Sequence, residues 1–305
     1  MSIKIWTIEY NSVMNMKLFN GNKPGGRYGF GAETLLFLTL CFGGFLLALV
    51  GQVVLMSLCA SSLSQSALLQ SVQWCQSILL MLLPALCYTA LRREKGVWAD
   101  LRLKGTQISV LFLALVVIVV ALPFLEWLAM ACRELPLPKQ VEALANQLIE
   151  QNEAVMKVML TPGGFSGWFG QIALVVLATA FVEEVMFRGA LYNLITFYSR
   201  RPYWTAFVIG FIFSAIHFDI YGFIPRLVLG FILTIMVYWS GSLWPSILVH
   251  AVNNLVALIE FKLLSADDRM SEMIFAPWVV VVSFVLMIVL LLMVKNISSH
   301  RMCEK

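Results

Sequence analysis

The chain has 305 residues, of which 60% are hydrophobic and 12% charged, with a formal net charge of +4. Soluble domains carry roughly 25% charged residues, so this composition, with a mean hydropathy of +0.86, excludes a soluble globular protein and indicates a polytopic membrane protein. The small positive charge reflects loop topology and gives no ground for a nucleic-acid partner. In chain order, a mixed polar segment with a Gly-rich stretch from Gly21 to Gly31 comes first and reads as an N-terminal tail (1–31) without a cleavable signal. Apolar runs of about 20 residues, each long enough to span as a helix, follow at 33–57, 67–91, 108–131, 167–195, 204–219, 222–240, 243–260 and 274–294. Gln70, Gln73 and Gln76 interrupt the second run, and the fifth is short. Between the third and fourth runs, Pro136 and Pro138 open a loop that Thr161-Pro-Gly-Gly164 closes. Inside it Val141, Ala145, Leu148, Val155 and Met159 recur at helical spacing, with Glu142, Gln147, Glu150 and Lys157 elsewhere. That pattern predicts an amphipathic helix at the outer interface, either a connector or a lid over a cavity. The expected fold is an all-α transmembrane bundle of about eight spans in one domain (32–295), closed by a tail at 296–305.

Orientation follows from Lys and Arg in the loops. With eight spans both termini share a side, and that side carries fourteen of them, including Arg92, Arg93, Lys95, Arg102 and Lys104. The other side carries five: Arg133, Lys139, Lys157, Lys262 and Arg269. The bias predicts cytoplasmic termini in a bacterial inner or cell membrane. The six cysteines (Cys41, Cys59, Cys75, Cys87, Cys132 and Cys303) lack CxxC spacing and read as small packing residues.

Spans four to seven, about 167–260, hold nearly every intramembrane charge or histidine; Glu126 is the main exception. The fourth contains the adjacent carboxylates Glu183 and Glu184, with Arg188 one turn later. A single charge near a bilayer centre costs roughly 2.5–3.5 kcal/mol on insertion scales, so three together demand an explanation. Glu184 and Arg188, four apart, share a face and can pair. Glu183, about 100° round the helix, is then left for other work. Arg226 is the further cation to consider, with Asp219 or a lipid headgroup as partner. His217 follows Phe213 by four residues on the next span, and His250 precedes Asn254 by four on the seventh. One membrane histidine often makes only a helix–helix hydrogen bond; two of the chain's three, beside a glutamate pair, point to a site. The third, His300, reads as solvated.

Two chemistries fit these residues. A carboxylate in an apolar cavity can serve as general base at neutral pH, a histidine beside it can share the activated water, and a second histidine with an Asn amide can stabilise an oxyanion. Alternatively Glu183, His217 and His250 form a three-ligand zinc (Zn2+) site with an open water position. There is no HExxH, no GxSxG near the site, and no Walker A or GxGxxG loop, so nucleotide use has no support. No internal repeat is visible, which weakens a transporter using a Glu/His relay.

Glu183-Glu184-x-x-x-Arg188, Phe213-x-x-x-His217 and His250-x-x-x-Asn254 resemble, in order, the three motifs of the CAAX-protease and bacteriocin-processing family. Gly241-Ser-Leu-Trp-Pro-Ser-Ile-Leu-Val-His250 is similar to that family's approach to its third motif. The resemblance covers about 167–260 and implies an intramembrane endopeptidase acting on a hydrophobic peptide or membrane protein. It implies Glu183 as general base, His217 holding the water, and His250 and Asn254 as oxyanion donors. Arg188 and Phe213 would support them, with Glu184 close enough to the chemistry to stand among the catalytic residues. Metal dependence stays open, with the shared face of His250 and Asn254 favouring the metal-free form. The alternative is a non-catalytic regulator or bacteriocin self-immunity protein of the same fold.

Overall fold

The computed structural model describes residues 30–92, 96–161, 164–263 and 276–303. The expected tail up to position 29, Arg93, Lys95, the Pro162-Gly163 turn, Arg269 and Lys305 lie outside these residues, as do the side chains of His300, Arg301 and Cys303. Helices α1 (Phe30–Cys59), α2 (Gln65–Arg92), α3 (Ile108–Arg133), α4 (Lys139–Met159) and α5 (Gly167–Tyr198) come first. Then follow α6 (Pro202–Ala215), α7 (Phe223–Ser240), α8 (Trp244–Leu263) and α9 (Pro277–Cys303). No strand occurs among the described residues, and the segment expected as a tail from 296 is helical up to Cys303. All except α4 and α6 are long and apolar enough to cross a membrane, which makes seven such helices among the described residues.

The apolar runs become helices because only intrahelical bonding satisfies the backbone in lipid. α1 shows the consequence: Leu35, Phe42, Val50 and Val53 stay exposed on its outer face. Two of the glutamines of α2 are satisfied by partners, and Gln73 lines a cavity. Gln70 Nε2 donates to the Met159 carbonyl (3.0 Å) and Gln76 Nε2 to Gln52 Oε1 (3.0 Å). In α3, Pro123 breaks the ladder. Ser283 of α9 repairs it, accepting from Phe124 N (3.2 Å) and donating to the Val120 carbonyl (2.6 Å).

The core has three centres. Val117, Ile118, Leu233, Met236, Leu291 and Val294 join α3, α7 and α9. Tyr88, Val185, Ile209 and Phe213 join α2, α5 and α6, around a loop residue, Leu101, that is fully buried. Met159, Leu160, Val176, Ala180 and Leu258 fasten the end of α4 to α5 and α8. The predicted amphipathic helix is present as α4, but its inward face differs from the expected one. Val141 and Val155 are exposed, whereas Ala145, Leu148, Ile149, Met156 and Met159 face inward over a cavity.

The expected fifth span, 204–219, is where sequence and structure diverge. α6 has 14 residues, about 21 Å at 1.5 Å per residue, short of the roughly 30 Å hydrocarbon core. The helix ends before His217, Phe218 adopts a left-handed φ of 51°, and a non-helical turn leads into α7. α6 and α7 pack as a tight antiparallel hairpin because glycines meet at their crossing. A Cβ on Gly230 would lie 2.8 Å from Gly210 Cα, and one on Gly210 would lie 2.8 Å from the Leu227 carbonyl. The turn lines a cavity, through His217, Phe218, Asp219, Tyr221 and Gly222.

Candidate active site

The cavity has a volume of about 690 Å³ and is walled by α3, α4, α5, α8 and the α6–α7 turn, a size usual for ligand sites. Glu183, His217, His250, Asn253, Asn254 and Arg226 all line it. Glu184 and Arg188 do not: both are fully buried behind its wall.

The two glutamates part at a change of helical winding. Thr179–Glu184 is α-helical and Val185–Leu191 forms a π-helical turn, and a second π turn covers Ile172–Ala178. Such wide turns recur at functional sites. From the join, Glu184 enters the protein interior while Glu183 reaches the cavity. Glu184 Oε1 accepts from Arg188 Nη1 (2.6 Å) and from His250 Nδ1 (2.9 Å), and its Oε2 accepts a short hydrogen bond from Ser246 Oγ. Arg188 also donates from Nη2 to the Gly230 carbonyl (3.1 Å) and from Nε to Thr234 Oγ1 (3.3 Å). Its guanidinium carbon sits 4.6 Å from the Phe213 ring centre. Breaking one partner of such a buried pair costs about 3–5 kcal/mol. Glu184, expected among the catalytic residues, therefore has the geometry of a positioning residue, because both of its oxygens are occupied and neither faces the cavity.

Glu183 is the reverse. Its Oε2 is buried without a hydrogen-bond partner and lies 3.7 Å from His250 Nε2. An ionised carboxylate only accepts, so His250 Nδ1 carries the hydrogen given to Glu184, and in the neutral imidazole Nε2 then presents a lone pair toward Glu183. Two acceptors 3.7 Å apart suit a bridging water that donates one hydrogen to each, about 2.8 Å from both.

His217 obeys the same rule. Its Nδ1 lies 2.7 Å from the Phe213 carbonyl, which only accepts, so its Nε2 is also a lone-pair nitrogen. The Phe213 ring packs edge-on against both imidazoles, with centroids 5.0 Å from His217 and 5.6 Å from His250. Phe213 thus supports both rings from the apolar side. Contrary to expectation, it is His250 that stands directly against Glu183. In this tautomer His250 cannot donate to an oxyanion until it gains a proton. Asn254 Nδ2 makes a long contact (3.5 Å) to the Val175 carbonyl, and neighbouring Asn253 lines the same cavity. The two amides are uncharged donors on the same helix as His250.

The zinc alternative required Glu183, His217 and His250 to converge. Among the described residues no three His, Cys, Asp or Glu side chains come together in a metal-holding group. His250 is turned by Glu184 toward Glu183, and both imidazoles lie against the Phe213 ring. The alternative three-ligand set does not fit this arrangement.

Several contributors escaped the sequence reading. Ser246 precedes His250 by four residues, and that spacing was a usable signal. Gly230 and Thr234 act through a carbonyl and a hydroxyl and carry none. Asp219 pairs with Arg226 (3.0 Å), one of the two partners considered. Gln73, Glu126, Arg133, Asn152, Glu153, Thr179 and Tyr221 add to the polar lining.

Residues 165–256, under a third of the chain, match the family model described as type II CAAX prenyl endopeptidase Rce1-like. All three motifs fall inside that stretch. No curated protein and no solved structure matches the chain.

Proposed function

We propose that this chain, whose residues 165–256 match the Rce1-like CAAX prenyl endopeptidase model, is a multi-pass intramembrane protease of that family and hydrolyses a peptide bond with a water activated by Glu183. The observation that carries the reading is the unpartnered, buried Glu183 Oε2 facing the His250 Nε2 lone pair across 3.7 Å. A water donating to both exposes its own lone pair to a carbonyl entering the cavity. Glu183 takes the water's proton as the O–C bond forms, and the carbonyl electrons move onto the oxyanion. Asn253 and Asn254 amides donate to that oxyanion. His217 Nε2 is a further acceptor in the cavity lining, since both hydrogens of this water go to Glu183 and His250. The proton held by Glu183 then passes to the leaving nitrogen, the C–N bond breaks, and a carboxylate and an amine depart. No step runs through a metal.

The substrate in this reading is a hydrophobic or membrane-associated peptide, because the cavity opens among membrane-spanning helices and α4 covers it with Leu148, Ile149 and Met156. The fourteen-to-five distribution of loop cations supports cytoplasmic termini and a bacterial cell membrane. The test is cleavage of a hydrophobic peptide library by the purified, detergent-solubilised chain, beside Glu183→Ala and with a strong chelator. Cleavage is expected in the wild type with or without chelator and is expected to vanish in Glu183→Ala. Loss with chelator and recovery with zinc would overturn the metal-free route. Cleavage that survives Glu183→Ala would overturn the role of Glu183.

A further inference from the structure

Arg226 is the one guanidinium in the α6–α7 turn region, and the proposed chemistry leaves it unused. It sits in the first turn of α7 and lines the same cavity as Glu183 and His217. Asp219 holds one side of it. Asp219 Oδ1 accepts from Gly222 N (2.9 Å), closing the turn, and Oδ2 accepts from Arg226 Nη2 (3.0 Å). The other nitrogen, Nη1, is buried without a partner. A buried guanidinium N–H left unpaired is rare, because its desolvation goes uncompensated. Asp219 also leaves the pair formally neutral, so the turn is stable without an added ion while one donor stays free. A guanidinium presents parallel N–H groups that match carboxylate geometry.

We propose that Arg226 Nη1 is a recognition site for a carboxylate of the peptide substrate, either its C-terminal carboxylate or an Asp or Glu side chain. The proposal rests on the endopeptidase reading for the identity of the ligand as a peptide. Arg133, on the cavity wall contributed by α3, adds a second positive group to the same lining, while Glu126 and Asp219 restrict where an anion can settle. The carboxylate anchored at Arg226 would fix the register of the chain over Glu183, so Arg226 acts on which bond is cut.

The test uses the full chain in an uncharged detergent, so that no anionic lipid competes. The probes are short Leu-, Val- and Ala-rich peptides in three matched forms: free C-terminal carboxylate, C-terminal amide, and amide with one internal Glu. Binding is measured to Glu183→Gln protein, and cleavage by the wild type. The free acid is expected to bind about ten- to a hundredfold more tightly than the amide, the size of one charge-assisted hydrogen bond. Recovery of affinity by the internal Glu would identify a side-chain carboxylate as the ligand, and no recovery would identify the C-terminus. Arg226→Lys keeps a cation beside Asp219 but removes the forked nitrogen, and is expected to erase the preference. Equal or undetectable binding of all three probes, or a preference that survives Arg226→Lys, overturns the proposal. If the preference is absent while the wild type still cleaves in a Glu183-dependent way, this inference alone fails. A preference without any cleavage supports the carboxylate site and sinks the catalytic reading.

Discussion

Glu183→Gln and Glu184→Gln, one residue apart, should have opposite effects. Glu184 is fully buried and accepts from Arg188, His250 and Ser246. A glutamine there can keep its carbonyl on Arg188 and His250 and turn its NH2 toward Ser246, whose hydroxyl can accept. The hydrogen bonds then survive in number, but the Arg188 charge loses its counter-charge inside the protein. Unpairing a buried ion in this way costs about 3–5 kcal/mol. The geometry retained by glutamine places the expectation near the lower end, about 3 kcal/mol, or more than a hundredfold in the unfolding constant. Glu183→Gln removes a buried carboxylate oxygen that has no partner, so stability should hold or rise, as is common where function strains a site. Its kcat should fall by about 10²–10⁴. SDS-titration unfolding read by circular dichroism, beside cleavage rates normalised to folded protein, separates the two. A Glu184→Gln protein as stable as wild type, with Glu183→Gln the destabilised one, would refute the assignment of positioning and catalytic roles.

Further outcomes follow from the same geometry. Gly230→Ala puts a Cβ 2.8 Å from Gly210 Cα and should cost about 1–3 kcal/mol through overpacking; it should also lower kcat, because the Gly230 carbonyl holds Arg188. Unchanged unfolding would mean that the α6–α7 crossing is looser than described. Ser246→Ala removes a donor to a charged, buried oxygen, and a loss of about 1.5–3 kcal/mol is expected in the same titration. Asn253→Ala and Asn254→Ala should each lower kcat with little change in KM, by up to about 10²–10³ for the amide that meets the oxyanion. Single-turnover rates decide which amide that is, and a wild-type rate in both would remove the amides from the mechanism.

The helices were legible because hydrocarbon leaves an apolar run of twenty residues few other conformations. Glu184 with Arg188 was legible because an i, i+4 pair needs only helical winding, and the Arg188 contact did form. The division of labour between Glu183 and Glu184 was only half visible. Sequence spacing placed them on different faces, but which face met the cavity depends on the π turns at Ile172–Ala178 and Val185–Leu191, and π winding has no residue signature in this stretch. The orientation of His250 was invisible for a related reason. Its hydrogen is placed by Glu184, 66 positions away, and sequence alone does not say which nitrogen a distant carboxylate will claim. The short α6 was signalled by the shortness of the fifth run, and His217, Asp219 and Gly222 crowd its end.

The reason for two adjacent glutamates can be argued from what a single one would do. A lone carboxylate in this cavity would face His250 with nothing to hold the imidazole, and the ring could present either nitrogen. Glu184 fixes Nδ1, so that Nε2 always faces Glu183. Glu184 itself can lie at zero exposure only because Arg188, Ser246 and His250 satisfy it. Arg188 in turn needs the Gly230 carbonyl and Thr234 from α7, which only a glycine crossing lets approach. The same hairpin ends α6 early and exposes the turn bearing His217 and the Asp219–Arg226 pair to the cavity. Glu183 is therefore free to be unsatisfied because its neighbour is fully satisfied.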